Sequence, residues 1–329
     1  MYKILFFLGL LNISVSTITY AQDLKKIDSL YQLANLRAVD TTKVHLYEQI
    51  IYEYTISTKY LAKAKQITDT LCQMADQLQD ISSQAACLDI RGSNLRHEGK
   101  NAAAIALHEQ ALAQIQKGNN KYQEAYILNN IGFAYSRLDD YPKAIDYHLQ
   151  AQKIAEKHHH LRNLSNSIVS IGNCYRRMKR NELALTYFHR GLALEKMQNV
   201  KLGISINMNN IGIIHTHFKN YDSASFYIQK SLELSLAIQN HKGVAISYGH
   251  LGSIYLAKKD MSKSLSYYLK ALALDEELGD KRYISETNLL VGNLYNELGN
   301  YKLAIKHLER ALEVAQMIRS KSKIQTAYE

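Results

Sequence analysis

The sequence contains no tryptophan and one proline in 329 residues. A single proline excludes collagen-like and proline-rich extended chains, and it leaves the backbone donors that long helices need. Pro142 follows Asp140 and Tyr141, in the first turn of a predicted helix, where a missing N–H is harmless. Three cysteines occur, Cys72, Cys87 and Cys174, with no CxxC pair. That excludes a zinc ribbon and a thioredoxin-type redox motif. HExxH, a phosphate-binding glycine loop and GxSxG are missing as well. No catalytic residues, no cofactor and no metal ligands are assigned on these grounds, and the expectation is a protein that is not an enzyme. Acidic residues are in deficit, with 30 against 40 lysines and arginines, for a formal charge of +10. A basic balance favours acidic partners. After residue 21 no apolar run approaches the roughly 20 residues that span a bilayer, so no transmembrane span is expected within 22–329.

Glycine carries the pattern. Gly92, Gly132, Gly172, Gly212, Gly252 and Gly292 recur every 40 residues. An aliphatic residue precedes five of them: Ile131, Ile171, Ile211, Leu251 and Val291. Three residues after the glycine comes an aromatic in four repeats, Tyr135, Tyr175, Tyr255 and Tyr295, with His215 and Leu95 as departures. Twelve after it the residue is small (Ala104, Ala144, Ala184, Ala224, Ser264, Ala304), and nineteen after it small again (Ala111, Ala151, Gly191, Ser231, Ala271, Ala311). Between the two small positions stand Tyr147, Tyr187, Tyr227 and Tyr267. Small residues let helix axes approach closely, and these tyrosines are expected to fill the space between repeats. Glycine inside a helix costs about 1 kcal/mol relative to alanine, so its recurrence needs a packing reason. Polar breaks such as Leu138-Asp139-Asp140 and Lys157-His158-His159-His160 punctuate stretches with i, i+3, i+4, i+7 apolar spacing. Each repeat therefore reads as helix A, turn, helix B, turn.

This arrangement resembles the tetratricopeptide repeat family, whose pattern places small and aromatic residues at these spacings. The likeness extends over nearly all of the chain beyond its first 21 residues. It departs in length, 40 residues against the commonest version of about 34. The extra residues fall after the last small position and should lengthen helix B and the start of the next helix A by about one and a half turns in total. The resemblance implies an all-α fold, a right-handed α-solenoid of stacked antiparallel helix pairs, and a concave face lined by helix A.

Read in order, residues 1–21 look like a secretory signal: Lys3, an apolar core from Ile4 to Leu11, and Thr19-Tyr20-Ala21 before Gln22 as a cleavage site. The expected location is outside the cytoplasm, in the periplasm of a Gram-negative bacterium. Residues 22–44 read as an N-terminal capping helix with Leu24, Ile27, Leu30, Tyr31 and Ala34 on one face, and Asp40-Thr41-Thr42 offers caps for the next helix. The array follows over 45–324. It opens with a degenerate repeat at 45–84, where Tyr52 replaces the glycine and Ala64 keeps the first small position. Six clear repeats run 85–124, 125–164, 165–204, 205–244, 245–284 and 285–324. Residues 325–329 match the start of an incomplete further repeat, which favours a longer protein over a chain ending here.

Two constellations invite chemistry. Cys72 on a helix B and Cys87 on the following helix A are near enough in order to bridge, and an exported chain can form disulfides. Small buried core residues are the preferred reading, and sequence leaves the bridge open. His158-His159-His160 reads as a solvated turn, its adjacent rings pointing in different directions, and His215 as a packed residue.

In the family resembled, exposed concave positions lie six and three before the glycine and one, four and five after it. Here they place Arg96, Tyr126, Asn129, Phe133, Arg137, Asn173, Arg176, Arg177 and Asn209 on that face, along with Asp89. Asparagine can bond both groups of an extended backbone, arginine presents a fork to carboxylates, and Tyr126 with Phe133 can hold an apolar side chain. The expected partner is a protein or peptide, acidic by charge, and not nucleic acid. The expected function is a non-catalytic protein–protein interaction scaffold. The alternative is the sensory ectodomain of a membrane-bound signal transducer, a histidine kinase or transcriptional regulator, tethered to the membrane with its output domain beyond residue 329.

Overall fold

The computed structural model describes residues 26–55 and 61–317. The signal segment, Leu24 and residues 325–329 lie outside them. Among the described residues there are helices and no strands, and the fold is an all-α solenoid of helix hairpins. The chain divides into two compact units at Leu138/Asp139. The first holds α1 (26–35), α2 (Thr41–Thr55), α3 (Leu61–Leu78), α4 (Ile81–His97), α5 (Asn101–Ile115) and α6 (Lys121–Arg137). The second holds α7 (Tyr141–Lys157), α8 (Leu161–Arg177), α9 (Asn181–Met197), α10 (Lys201–His217), α11 (Tyr221–Ala237), α12 (His241–Ala257), α13 (Met261–Leu278), α14 (Lys281–Glu297) and α15 (Tyr301–Met317).

The period has a simple local origin. Helices of 17 residues, such as α8, α9 and α10, alternate with three-residue links, and two of each make up 40 residues. Helix A and helix B come out equally long. The first helices of the pairs start at Ile81, Lys121, Leu161, Lys201, His241 and Lys281. The frame drawn from sequence, 85–124 onward, therefore cuts each helix A about one turn in. The links are built alike. Gln79, Gly99, Asp139, His159, Lys179, Asn199, Lys219, Gln239, Lys259, Gly279 and Gly299 all have positive φ, and the α5–α6 link alone interrupts their twenty-residue spacing. The next N–H then closes on the carbonyl five residues back, as in Arg180 N to Tyr175 O at 2.9 Å and Asn220 N to His215 O at 2.9 Å. This closure satisfies carbonyls that a helix end would otherwise leave open. Asp80, Asn120, Asp140, Asn220, Asn240 and Asp260 then cap the following helices by accepting from the N–H three residues on.

The glycines have their packing reason. The side chain sixteen residues later, on helix B, lies on the glycine: His108 on Gly92, Phe188 on Gly172, Ile228 on Gly212, Tyr268 on Gly252 and Leu308 on Gly292. The small positions are buried throughout, from Ala104 and Ala111 to Ala304 and Ala311. Where serine occupies one, its hydroxyl bonds the facing backbone directly. Ser264 Oγ donates to Gly252 O at 2.9 Å, and Ser231 Oγ to Ser205 O at 2.8 Å. The axes are therefore close enough that a larger side chain would not fit.

Three expectations need revision. The ring fifteen residues after the glycine does more than fill the space between repeats, where Tyr227 and Tyr267 pack against the core of the preceding repeat. It is half-buried and pairs with the ring three after the same glycine: Tyr175 with Tyr187 at 5.5 Å, His215 with Tyr227 at 5.6 Å and Tyr255 with Tyr267 at 5.4 Å between centroids. The buried knob is the next residue along. Cys72 and Cys87 are not free core thiols but form a disulfide between α3 and α4, with Cα atoms 5.1 Å apart. Both are nevertheless buried in the core of the first unit, beside Leu71 and Ile67. Cys174 is free and buried, and burial pushes its thiol up to about 11. Finally, Tyr52 does not take a glycine's buried place. Its neighbours Ile51 and Tyr54 are buried while Tyr52 is 53% exposed, because a phenol cannot fit where a helix axis must approach.

Candidate functional site

In the first unit the candidate residues lie on α4 and α6. Tyr126, Phe133 and Arg137 follow i, i+7, i+11 spacing on α6 and share one exposed stripe. Tyr126 is 43% exposed, yet burial is the first cause that pushes its hydroxyl up to about 12, followed by the Asp89 carboxylate. The ring is exposed while its hydroxyl reaches Asn130 and the Asp89 carboxylate. Arg96 faces the same place. Burial holds its guanidinium below the usual value, opposed by Tyr126 and Asp89, and its Nε is enclosed without a partner. Beneath them lies a buried network. Asp89 accepts from His108 Nδ1 at 2.7 Å and from Asn130 Nδ2 at 2.9 Å. The register expectation of Asp89 on the exposed face is therefore wrong. Its charge is spent on the knob of its own repeat and an asparagine of the next.

In the second unit Asn173, Arg176 and Arg177 end α8. Arg177 is exposed, Arg176 is half-buried, and Asn173 accepts from Arg176 Nη2 at 3.4 Å. Burial, then repulsion from Arg177, lowers the Arg176 pKa, while Tyr283 and Tyr141 oppose. Two histidines join this set. His217 is lowered by burial and then by Arg176, and His250 falls to about 4 through burial, Arg176 and His217 against the opposing Glu286.

The two remaining asparagines depart from the sequence expectation. Asn129 is buried, and so is Asn209, whose amide donates to Ser247 Oγ at 3.2 Å. Asn209 thus ties α10 to α12, and neither buried asparagine presents its amide to an incoming backbone. His250 escapes the sequence reading because it lies two residues before its glycine, outside the five positions taken from the family. A signal exists all the same: Asn130 and Asn210 stand polar at the same register. In the histidine turn, His159 takes the left-handed conformation, and the rings of His158 and His160, two residues apart, stack at 5.7 Å. Among the described residues, no group of three or more His, Cys, Asp or Glu side chains is arranged to hold a metal ion, and no helix is long and apolar enough to cross a membrane.

A tetratricopeptide repeat family model matches residues 84–157 and 243–317. No curated protein matches the chain in sequence. Among solved structures, the Signal Transduction ATPase with Numerous Domains (STAND) protein with a tetratricopeptide repeat sensor from Pyrococcus horikoshii superposes with a TM-score of 0.65 at 16% identity, over 93% of this chain and 47% of that one. A Rap protein complexed with competence and sporulation factor gives 0.60 at 15% identity, over 94% and 96%. The Rap conjugation gene regulator of plasmid pLS20, in complex with the Phr* peptide, gives 0.59 at 14% identity, over 89% and 94%. At these identities the likeness establishes the fold.

Proposed function

Because the chain carries tetratricopeptide repeats, we propose that it is a non-catalytic interaction scaffold whose helix A faces take up an extended segment of a partner protein. The observation that carries this reading is Tyr126, an exposed ring at the head of the α6 stripe. With Phe133 and Arg137 it offers two rings and a cation along one stripe, a fit for an apolar side chain beside an acidic one. The +10 formal charge favours an acidic segment. One structural neighbour is bound to a peptide and another to competence and sporulation factor, which supports the same use of the fold.

Selection of phage-displayed peptides on the purified chain tests this. Acidic extended sequences should emerge, and Tyr126→Ala with Phe133→Ala should weaken them at least about tenfold, or about 1.4 kcal/mol, with helicity unchanged. Equal binding by that variant, or failure to select any peptide, overturns the reading.

The same proposal puts the chain outside the cytoplasm, a location that the leader-like residues 1–21 and the Cys72–Cys87 bridge support, since disulfides persist in oxidising compartments. A second reading, a sensory region of a larger signal transducer, is favoured by the neighbour whose tetratricopeptide repeats form a sensor. Reading the gene past codon 329 decides it: a membrane span and an output domain support it, and a stop codon refutes it.

A further inference from the structure

We propose that one end of the helix pairs in the second unit is a docking surface for anionic phospholipid, separate from the peptide-binding face. It is built from the α8–α9, α10–α11 and α12–α13 links, each joining the two helices of a pair. The links sit side by side. At the end of α10, His217 Nδ1 lies 3.3 Å from Asn181 Oδ1 at the start of α9. Just past α12, Lys258 Nζ donates to Asp222 Oδ1 at the start of α11, at 2.7 Å.

Each of these links places a lysine at its left-handed position: Lys179, Lys219 and Lys259, with φ of 60°, 60° and 62°. The turn does not ask for lysine. Gly99 and Gly299 make it in other pairs, where no side chain opposes a positive φ. At the opposite end of the helices, in the links between pairs, the residues in this conformation are His159, Asn199, Gln239 and Gly279, with no lysine or arginine. Positive charge is therefore confined to one end, at a backbone position where a side chain is costly.

Arg177 and Arg180 flank Lys179, and all five cations are exposed. Among the described residues none of the five is in a salt bridge. The neighbouring carboxylates are spent: Asp222 pairs with Lys258, and Asp260 pairs with Lys263 at 3.0 Å. Glu182 is left against the five. A row of charge this uneven attracts a polyanion. Among the cations stands an exposed ring, Phe218, which opens the middle link. Cations that reach head-group phosphates together, with an apolar ring to enter between the head groups, fit the surface of an anionic bilayer. A nucleic-acid strand is matched by a groove with a series of aromatic platforms, and this row has one ring.

Co-sedimentation of the full chain with pure phosphatidylglycerol vesicles, and separately with pure phosphatidylcholine vesicles, provides the test. The chain should bind phosphatidylglycerol more tightly, by a margin that shrinks as salt rises. A cation near an anionic surface is worth about fivefold in binding, so the triple variant Lys179→Gly/Lys219→Gly/Lys259→Gly should lose roughly a hundredfold. Glycine suits these turns, so the loss cannot come from unfolding. The leader-like residues 1–21 are the same in parent and variant and cancel from the comparison. The matching lysine-to-arginine triple should bind as the parent does, because the charge is kept. No preference for phosphatidylglycerol, or a glycine triple that binds it as the parent does, overturns the proposal. A single-stranded oligonucleotide that displaces the chain from the vesicles at equal phosphate concentration overturns the membrane assignment in favour of nucleic acid. The glycine triple should still bind the display-selected peptides, and a triple that loses peptide and vesicle alike overturns the separation of the two surfaces.

Discussion

A methyl group on Gly172 would stand 2.7 Å from Cε1 of Phe188, closer than packed carbons approach. The ring is fully buried and has nowhere to move. Gly172→Ala should therefore lose more from overpacking, about 1–3 kcal/mol, than the roughly 1 kcal/mol gained in helix propensity. Gly249, inside α12, has open space where a methyl would stand, with no neighbouring atom within 4 Å. Gly249→Ala should raise stability by about 0.5–1 kcal/mol. Urea unfolding of the two variants should move the midpoint in opposite directions. A shared direction would mean that ring contact is not what keeps the ladder glycine.

That pair also marks how far sequence can see. The glycine register and its small partners are legible because close helix approach admits few side chains, and the same demand recurs every 40 residues. The knob is not legible. His108, His148, Phe188, Ile228, Tyr268 and Leu308 share a position but no chemistry, since any side chain of roughly fitting shape can cover a glycine. The tyrosine beside it is more regular and so attracts the packing role on sequence grounds. The candidate site is legible only in part. Register locates Arg96, Tyr126 and Phe133, but it cannot say that Asn209 spends its amide on Ser247, or that Cys72 meets Cys87, because both depend on the next repeat's placement.

Asp275 predicts a pH dependence. Burial raises its pKa from 3.8 to about 6; the Thr287 hydroxyl opposes this, and Asp280 and Glu286 add to it. Between about pH 4 and 6 the folded chain holds a proton that the unfolded chain releases, so stability falls as pH rises through that window. Above it the ionised carboxylate stays buried at full cost. Asp275→Asn keeps an acceptor for Thr287 and should gain about 2 kcal/mol at pH 7, since a tenfold change in proton affinity corresponds to about 1.4 kcal/mol. It should gain nothing near pH 3. Urea midpoints measured across pH check both ends, and a variant profile parallel to the parent's would rule Asp275 out as the cause.

The links predict a gain from glycine. Lys179, Lys219 and Lys259 hold φ of 60°, 60° and 62°, where Gly99, Gly279 and Gly299 serve elsewhere in the fold. A side chain in this conformation costs roughly 1–2 kcal/mol, and glycine's greater unfolded-state freedom returns about half of that. Each lysine-to-glycine change should raise stability by about 0.5–1 kcal/mol, and the three should add because the links are separate. Thermal midpoints of the single and triple variants measure this. A triple variant no more stable than the parent would show that the link carries no strain.

The disulfide sets the last expectation. Cys72 and Cys87 are 15 residues apart, and closing a loop of that size restrains the unfolded chain by about 3 kcal/mol. Both sulfurs are buried, so alanines at the two positions leave an apolar site with little repacking. Reductant should lower the parent's unfolding midpoint and leave Cys72→Ala/Cys87→Ala unmoved, with faster amide exchange in α3 and α4 of that variant. Cys174 gives the internal control: with its thiol buried and pushed up to about 11, it should resist thiol reagents until the chain unfolds. The unreduced parent should then release one reactive thiol on denaturation. Three thiols without reductant would mean that the bridge does not form, and a midpoint indifferent to reductant would mean that it forms without stabilising the first unit.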